Sequence, residues 1–364
     1  MNITFDKKEA YSVFNEINKV VKGYMGNILC IKDGDRFKIV STDFNSTYIT
    51  YLNYNKIDGD VCSFLLPIDN VLKCLSVFKG DTFDIVVDDK TVKVKSGRNY
   101  TKFLLGDVDN YFYKDDFVFQ NSFVLKNDDV KNIVSKFSCI VDENHSKLSL
   151  RGVYFDYYDG AMNVVCTDGV KLGKYVIQKD YFENNSLFDN EFNFLPNFSS
   201  FKKSSFFIKD NDLTISFNNV VCCFSCGESK LFTTISNVQY PNYRPLFPKD
   251  FSIDLDVSKQ SVIDSLNLIK LSLINDNVYC KLLLNNGKMI FQSLISTVEI
   301  HEEIDVDYDG NLELLVSPSI LSDIIKSCVG DTVKFSFNSP IKPFLLSFED
   351  FQFLLMPAKK TDNA

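Results

Sequence analysis

The side chains able to do covalent chemistry are few, and their spacing does not assemble them. Only two histidines occur in the 364 residues, His145 and His301. The run His301-Glu302-Glu303 lacks the second histidine of a zinc-protease helix. Cys223-Phe224-Ser225-Cys226 is a lone CxxC, and on a strand its two sulfurs face opposite sides. Gly169-Val170-Lys171-Leu172-Gly173-Lys174 is too short for a phosphate loop and lacks the Ser or Thr after its lysine. Asp81 and Asp331 recur in identical Gly-Asp-Thr triplets and read as turn residues, not as an acid–base pair. No nucleophile is paired with a base. The expectation is a chain with no catalytic residue, no metal site and no cofactor.

The chemistry that remains is electrostatic and apolar. Net charge is −9, which alone argues against a nucleic-acid partner. Its distribution reverses that argument. Six segments read as helices: 7–22, 67–79, 126–138, 195–204, 258–270 and 317–327. Together they carry +7, leaving −16 on everything else. In the first, Lys8, Ser12, Asn15, Lys19 and Lys22 fall at spacings of four and three, a polar face uninterrupted by acid. Lys73, Lys79, Lys131, Lys136, Lys202, Lys203, Lys259 and Lys270 lie on the other helices. Such a surface attracts phosphates without reading sequence. Taken singly, each lysine also fits an ordinary solvated face.

The elements that position these lysines repeat. Gly80-Asp81-Thr82 and Gly330-Asp331-Thr332 each follow a short helical pattern and open a strand. Halfway between them, Leu195-Pro196-Asn197-Phe198 starts a third such pattern. Each repeat also opens on an amphipathic helix: Ala10, Phe14, Ile17 and Val21; then Val130, Ile133, Val134 and Phe137; then Val262, Ile263, Leu266 and Ile269. Alternating runs such as 37–41 and 153–157 read as strands, and Asp33-Gly34, Asp159-Gly160 and Asn286-Gly287 as hairpin turns. The abundance of Phe (34) and Tyr (17) favours strands. The spacing predicts an α+β protein of three units, 1–118, 119–249 and 250–364, abutting without a linker. The start shows no secretory signal and no window of the chain approaches a membrane span, so ten scattered cysteines suit a reduced cytoplasmic protein.

Three segments bear a family resemblance. They are Lys147–Phe155 with Val164–Leu172, then Tyr240–Pro248, then Ser339–Pro343 with Leu354–Lys359. Their order, spacing and the total length resemble the bacterial DNA polymerase III beta subunit, the beta sliding clamp, across the whole chain. The resemblance implies two chains joined head to tail in a ring of six clamp-like domains. Helices would line the hole and antiparallel sheets the outside. It implies double-stranded DNA as a non-specific, topologically held partner. It further implies a cleft that docks peptides of the polymerase catalytic subunit, the clamp loader, and repair and mismatch proteins. Onto this sequence the cleft maps as Leu150, Thr167, Gly169, Val170, Lys171, Leu172, Pro241, Leu246, Pro340, Leu354, Met356, Pro357 and Ala358. An apolar groove of this kind suits an extended peptide with apolar anchors.

The sequence departs from the family at Val170 (usually histidine), Lys171 (usually arginine, whose planar fork is lost) and Ala358 (usually methionine). A polar tail, Lys360 to Ala364, follows. Arg98 and Lys102 match a glycine-arginine hairpin that either touches DNA or is a solvated turn. The alternatives to a replicative clamp are a divergent paralogue and a repeat-built scaffold that never encloses DNA.

Overall fold

The structure is a computed structural model, and it describes residues 1–59, 62–182, 185–271, 279–294 and 298–358. The tail from Lys360 lies outside the described residues. In chain order the strands begin β1 (Asn2–Asp6), β2 (Asn27–Asp33), β3 (Arg36–Thr42), β4 (Ser46–Asn53), β5 (Lys56–Asp58), β6 (Ser63–Pro67), β7 (Thr82–Asp88), β8 (Thr91–Ser96) and β9 (Asn99–Leu104). They continue with β10 (Asn121–Leu125), β11 (Tyr154–Tyr158), β12 (Ala161–Thr167), β13 (Lys171–Gln178), β14 (Phe192–Phe194), β15 (Leu213–Phe217), β16 (Val221–Cys226) and β17 (Ser229–Thr234). The last are β18 (Ile253–Ser258), β19 (Cys280–Asn285), β20 (Lys288–Ser293), β21 (His301–Asp305), β22 (Leu312–Val316), β23 (Thr332–Phe337), β24 (Phe344–Phe348) and β25 (Phe351–Leu355). The helices are α1 (Lys7–Val20), α2 (Ile68–Val77), α3 (Asn127–Phe137), α4 (Phe198–Ser204), α5 (Lys259–Leu271) and α6 (Pro318–Ser327).

All six expected helices are present, and local chemistry sets their ends. Asp6 caps α1 by accepting from the Glu9 N–H at 2.8 Å. Asn197 does the same for α4, and Ser317 with Pro318 behind it starts α6. Ala10, Phe14, Ile17 and Val20 form the buried stripe of α1. Val21 is buried as well, but in the extended residue that ends the helix. The Asp159-Gly160 and Asn286-Gly287 turns have both central residues at positive φ, the mirror-image turn that matches strand twist.

Contacts divide the chain into two compact units: residues 1–131 with 196–237, and 132–195 with 238–364. The first contains a five-stranded sheet, β5-β1-β7-β8-β9, and an eight-stranded one, β10-β15-β16-β17-β4-β3-β2-β6. The second contains an eight-stranded sheet, β14-β11-β12-β13-β25-β24-β23-β18, and a four-stranded one, β21-β20-β19-β22. Among the described residues every pairing is antiparallel, and the strand patterns alternate buried and exposed. In the first unit α1 packs on α2 and α4; in the second α5 packs on α6. Phenylalanines fill both cores, among them Phe5, Phe14, Phe37, Phe83, Phe137 and Phe155, each worth about 1.5–3 kcal/mol of transfer free energy. Gly173 is a packing requirement: a Cβ there would sit 2.8 Å from the Phe137 ring. Among the described residues no helix is long and apolar enough to cross a membrane.

Candidate functional site

The segment after β25 is stitched across the second unit. Leu355 pairs with Lys171, the Met356 N–H donates to the Val170 carbonyl at 3.2 Å, and the Ala358 N–H donates to the Leu315 carbonyl at 2.9 Å. A groove of about 180 Å³ opens beside this segment. Val170, Lys171, Met356, Pro357 and Ala358, all expected from the sequence, line it. Tyr279, Val316, Ile320 and Phe344 line it too and had no sequence signal beyond ordinary apolar periodicity. Val170 and Met356 are about half exposed, so the groove offers apolar surface to a partner.

The turn carrying Val170 is held rigidly. Thr167 Oγ1 donates to the Lys171 carbonyl at 2.7 Å and accepts from the Gly169 N–H at 3.0 Å. Asp168 Oδ1 accepts from the N–H groups of Val170 and Lys171, each at 2.9 Å. Gly169 has φ of +90°, which a side chain would resist. Lys171 pairs with Asp168 at 3.1 Å.

Other expected residues sit beneath or beside the groove. Leu150 is buried under Gly169. Leu172 and Leu354 are cross-strand partners, buried in a cluster with Tyr240, Tyr243, Leu195 and Leu345. They form the support, not the lining of this groove. Pro241, Leu246 and Pro340 are exposed. The strap bearing the first two is pinned by Asp156, whose side chain is only 2 % exposed. Its carboxylate accepts from the Tyr243 hydroxyl at 2.7 Å and from Arg244 Nη2 at 3.0 Å. The Arg244 guanidinium lies 3.6 Å over the Tyr158 ring, and burial with the Asp156 bond pushes the Tyr243 phenol far up. Lys174 faces the Phe247 ring at 4.0 Å, and burial lowers its ammonium below the ordinary value.

The basic helix faces divide into two groups. Lys8, Lys19, Lys22, Lys73, Lys79, Lys131 and, on the β8–β9 turn, Arg98 are exposed. Lys202, Lys203 and Lys270 are half-buried, and Lys270 reaches Asp323 at 4.0 Å. Lys259 donates to the Cys328 carbonyl. Lys136 requires a correction: it is 5 % exposed, with its ammonium 4.2 Å over the Phe351 ring and bonded to Asn132. Its position in α3, next to buried Phe137, draws the long stem inward and leaves no face for a phosphate. Among the described residues no cluster of His, Cys, Asp and Glu is arranged to hold a metal. Burial pushes the Cys223 thiol up to about 12, the opposite of a metal-binding or redox cysteine.

Residues 244–358 match the family described as DNA polymerase III beta subunit, C-terminal domain. A beta sliding clamp of Chlamydia trachomatis is 24 % identical over 256 residues, 66 % of this chain and 58 % of that protein. One of Streptococcus pneumoniae is 24 % identical over 310 residues, 82 % of this chain and 80 % of that protein. The match to the chlamydial relative thus spans little more than half of its length. Among solved structures, the DNA polymerase III subunit beta of Pseudomonas aeruginosa superimposes with a TM-score of 0.89 at 16 % identity, over 99 % of this chain and 100 % of that one. A Helicobacter pylori beta clamp bound to a DNA ligase peptide does so with 0.86 at 15 %, over 99 % and 100 %. These likenesses establish the clamp fold. The family match covers residues 244–358, and the curated relatives to which the chain is similar are called beta sliding clamps.

Proposed function

We propose that two copies of this chain close into a ring around duplex DNA, as a sliding clamp that tethers a polymerase and performs no covalent chemistry. Each copy consists of three repeats, 1–118, 119–249 and 250–364. The clamp works in the cytoplasm, holds DNA through exposed lysines without reading sequence, and docks partner peptides in the Val170–Met356 groove. The polymerase catalytic subunit, the clamp loader and repair proteins are the partners this reading assigns to it.

One observation carries the reading: two sheet edges are open where the same edges elsewhere in the chain are paired. β17, the third strand of its meander, pairs with β4; β25, in the equivalent position, pairs with β13. Among the described residues, the equivalents left without a partner are β9 and β21, at the ends of their sheets. Open edges invite another chain. Carrying the β17–β4 register over sets Thr101 of one copy against Ile300 of the other. Lys102 then faces Glu299, and Arg98 faces Glu303. The charges agree. Lys93 and Lys102 are directly opposite on β8 and β9, an unfavourable pair that an acidic neighbour relieves. β21 reads His301-Glu302-Glu303-Ile304-Asp305, with Glu303 bonded to His301 at 2.8 Å.

The test is topological. The protein, loaded on nicked circular DNA by its clamp loader, should survive gel filtration in high salt and leave when a restriction enzyme opens the circle. Loss from the closed circle, or equal retention on linear DNA, identifies a scaffold that does not enclose DNA.

A further inference from the structure

The turn that frames the groove of the second unit is built a second time in the first. Thr42-Asp43-Phe44-Asn45-Ser46 joins β3 to β4 as Thr167-Asp168-Gly169-Val170-Lys171 joins β12 to β13. Thr42 Oγ1 donates to the Ser46 carbonyl at 3.1 Å and accepts from the Phe44 N–H at 3.3 Å. Asp43 Oδ1 accepts from the N–H groups of Asn45 and Ser46 at 3.1 and 2.8 Å. These are the bonds of the Thr167–Lys171 turn, residue for residue. The strand pairing matches too: Ser46 opposes Thr233 on β17 as Lys171 opposes Leu355 on β25. Each seam is crossed by an aromatic strap, Tyr111, Tyr113, Phe117 and Phe119 in the first unit and Tyr240, Tyr243, Phe247 and Phe251 in the second.

Beside the duplicated turn lies a groove of about 320 Å³, within the usual range for ligand sites. Phe44, Phe112, Phe117 and Phe232 supply its apolar surface. Phe44 stands where the other turn has Gly169. It keeps a φ of +69° that disfavours any side chain, yet remains 62 % exposed with its ring edge on Tyr24. An aromatic ring held exposed in a strained turn is unexpected unless the ring is used. Phe112 is 68 % exposed. Among the described residues that line the groove, Lys114 is the one charged side chain; its acid neighbour is Asp116, 3.9 Å away and largely solvated.

We propose that this groove is a second peptide-docking site, for an extended peptide with two apolar anchors followed by acidic residues that meet Lys114. The proposal rests on the reading of the Val170–Met356 groove as a peptide site. Anchors two residues apart project to the same side of an extended chain and can both enter the groove. Phe44 closes over them as the lip that Gly169 does not provide.

The absence of tryptophan makes the test clean. Phe112→Trp places one fluorophore on the groove of the first unit, and Met356→Trp places one on the groove of the second. Each variant of the full chain is titrated with acetyl-Ser-Phe-Ser-Leu-Asp-Asp-amide. The proposal expects a saturable change in the emission of the Phe112→Trp variant, with a Kd below about 1 mM. Adding Lys114→Glu should weaken it roughly threefold or more, and replacing both aspartates of the peptide by lysines should reverse that preference. Adding Phe44→Gly, which relieves the backbone, should weaken it roughly fivefold. No saturable change in the Phe112→Trp variant, a change indifferent to both charge swaps, or a change produced by raising protein concentration without peptide overturns the proposal. A response confined to the Met356→Trp variant overturns it while leaving the Val170–Met356 site standing. DNA retention, measured separately, stays intact in either case.

Discussion

Replacing Asp156 with alanine strikes the joint that holds the Tyr240–Phe247 strap to its sheet. The carboxylate accepts from the Tyr243 hydroxyl at 2.7 Å and from Arg244 Nε and Nη2 at 3.2 and 3.0 Å. Hydrogen bonds to a charged group are each worth about 1.5–3 kcal/mol, and a buried donor left without a partner loses about 1–3 kcal/mol. Tyr243 is buried and would be orphaned; Arg244 is 45 % exposed and would rehydrate, which discounts its share. The expected loss for Asp156→Ala is therefore about 2–4 kcal/mol. Tyr243→Phe, which leaves the arginine in place, loses about 1 kcal/mol. Denaturant unfolding of the two single variants and the double variant measures the coupling. Hydrogen exchange locates it: amides of 240–247 should lose protection first, and with them the setting of Pro241 and Leu246. A loss below about 0.5 kcal/mol with unchanged exchange in the strap would refute the reasoning.

Further outcomes follow from other residues. Lys136→Met should leave the salt dependence of DNA association unchanged, whereas Lys19→Gln and Lys22→Gln together should flatten the logarithmic slope by up to about 2; a change at Lys136 equal to that pair would mean its ammonium reaches phosphate. Native thiol labelling should modify exposed Cys62 first and leave buried Cys30, Cys166 and Cys222 unreactive until unfolding. Burial pushes the Glu16 carboxyl above its ordinary value of 4.5, against the donation of Tyr48 at 2.6 Å. The folded chain therefore binds that proton more tightly than the unfolded chain does, and its contribution to stability falls as pH rises from 4.5 through the raised value. Glu16→Gln should remove that slope in denaturation curves taken on either side of this window.

Helix stripes, hairpin turns and the Gly-Asp-Thr recurrences are legible because they are local: a periodicity of three and four, or a residue pair at positive φ, carries its own structural consequence. The cleft is half legible. Val170, Met356, Pro357 and Ala358 are found because the resemblance names their positions, and they line the groove. Tyr279, Val316 with Ile320, and Phe344 come from three separated segments, so only the tertiary structure brings them together. Leu172 and Leu354 look identical to groove residues in sequence, yet cross-strand pairing buries them among tyrosines. Lys136 is misplaced by charge counting because that count ignores the length of a lysine stem, which here reaches an aromatic ring. The duplicated Thr-Asp turn escapes a reading by letters because Phe44-Asn45-Ser46 shares none with Gly169-Val170-Lys171; the match lies in backbone hydrogen bonds.

The ring reading depends on self-association through β9 and β21, and the mass in solution by light scattering tests it most directly. The account predicts about twice the chain mass of 41.6 kDa. Arg98→Glu with Lys102→Glu should shift that mass toward one chain, and adding Glu299→Lys with Glu303→Lys should restore it. A particle of one chain mass at high protein concentration, or a dimer indifferent to both charge reversals, would contradict it.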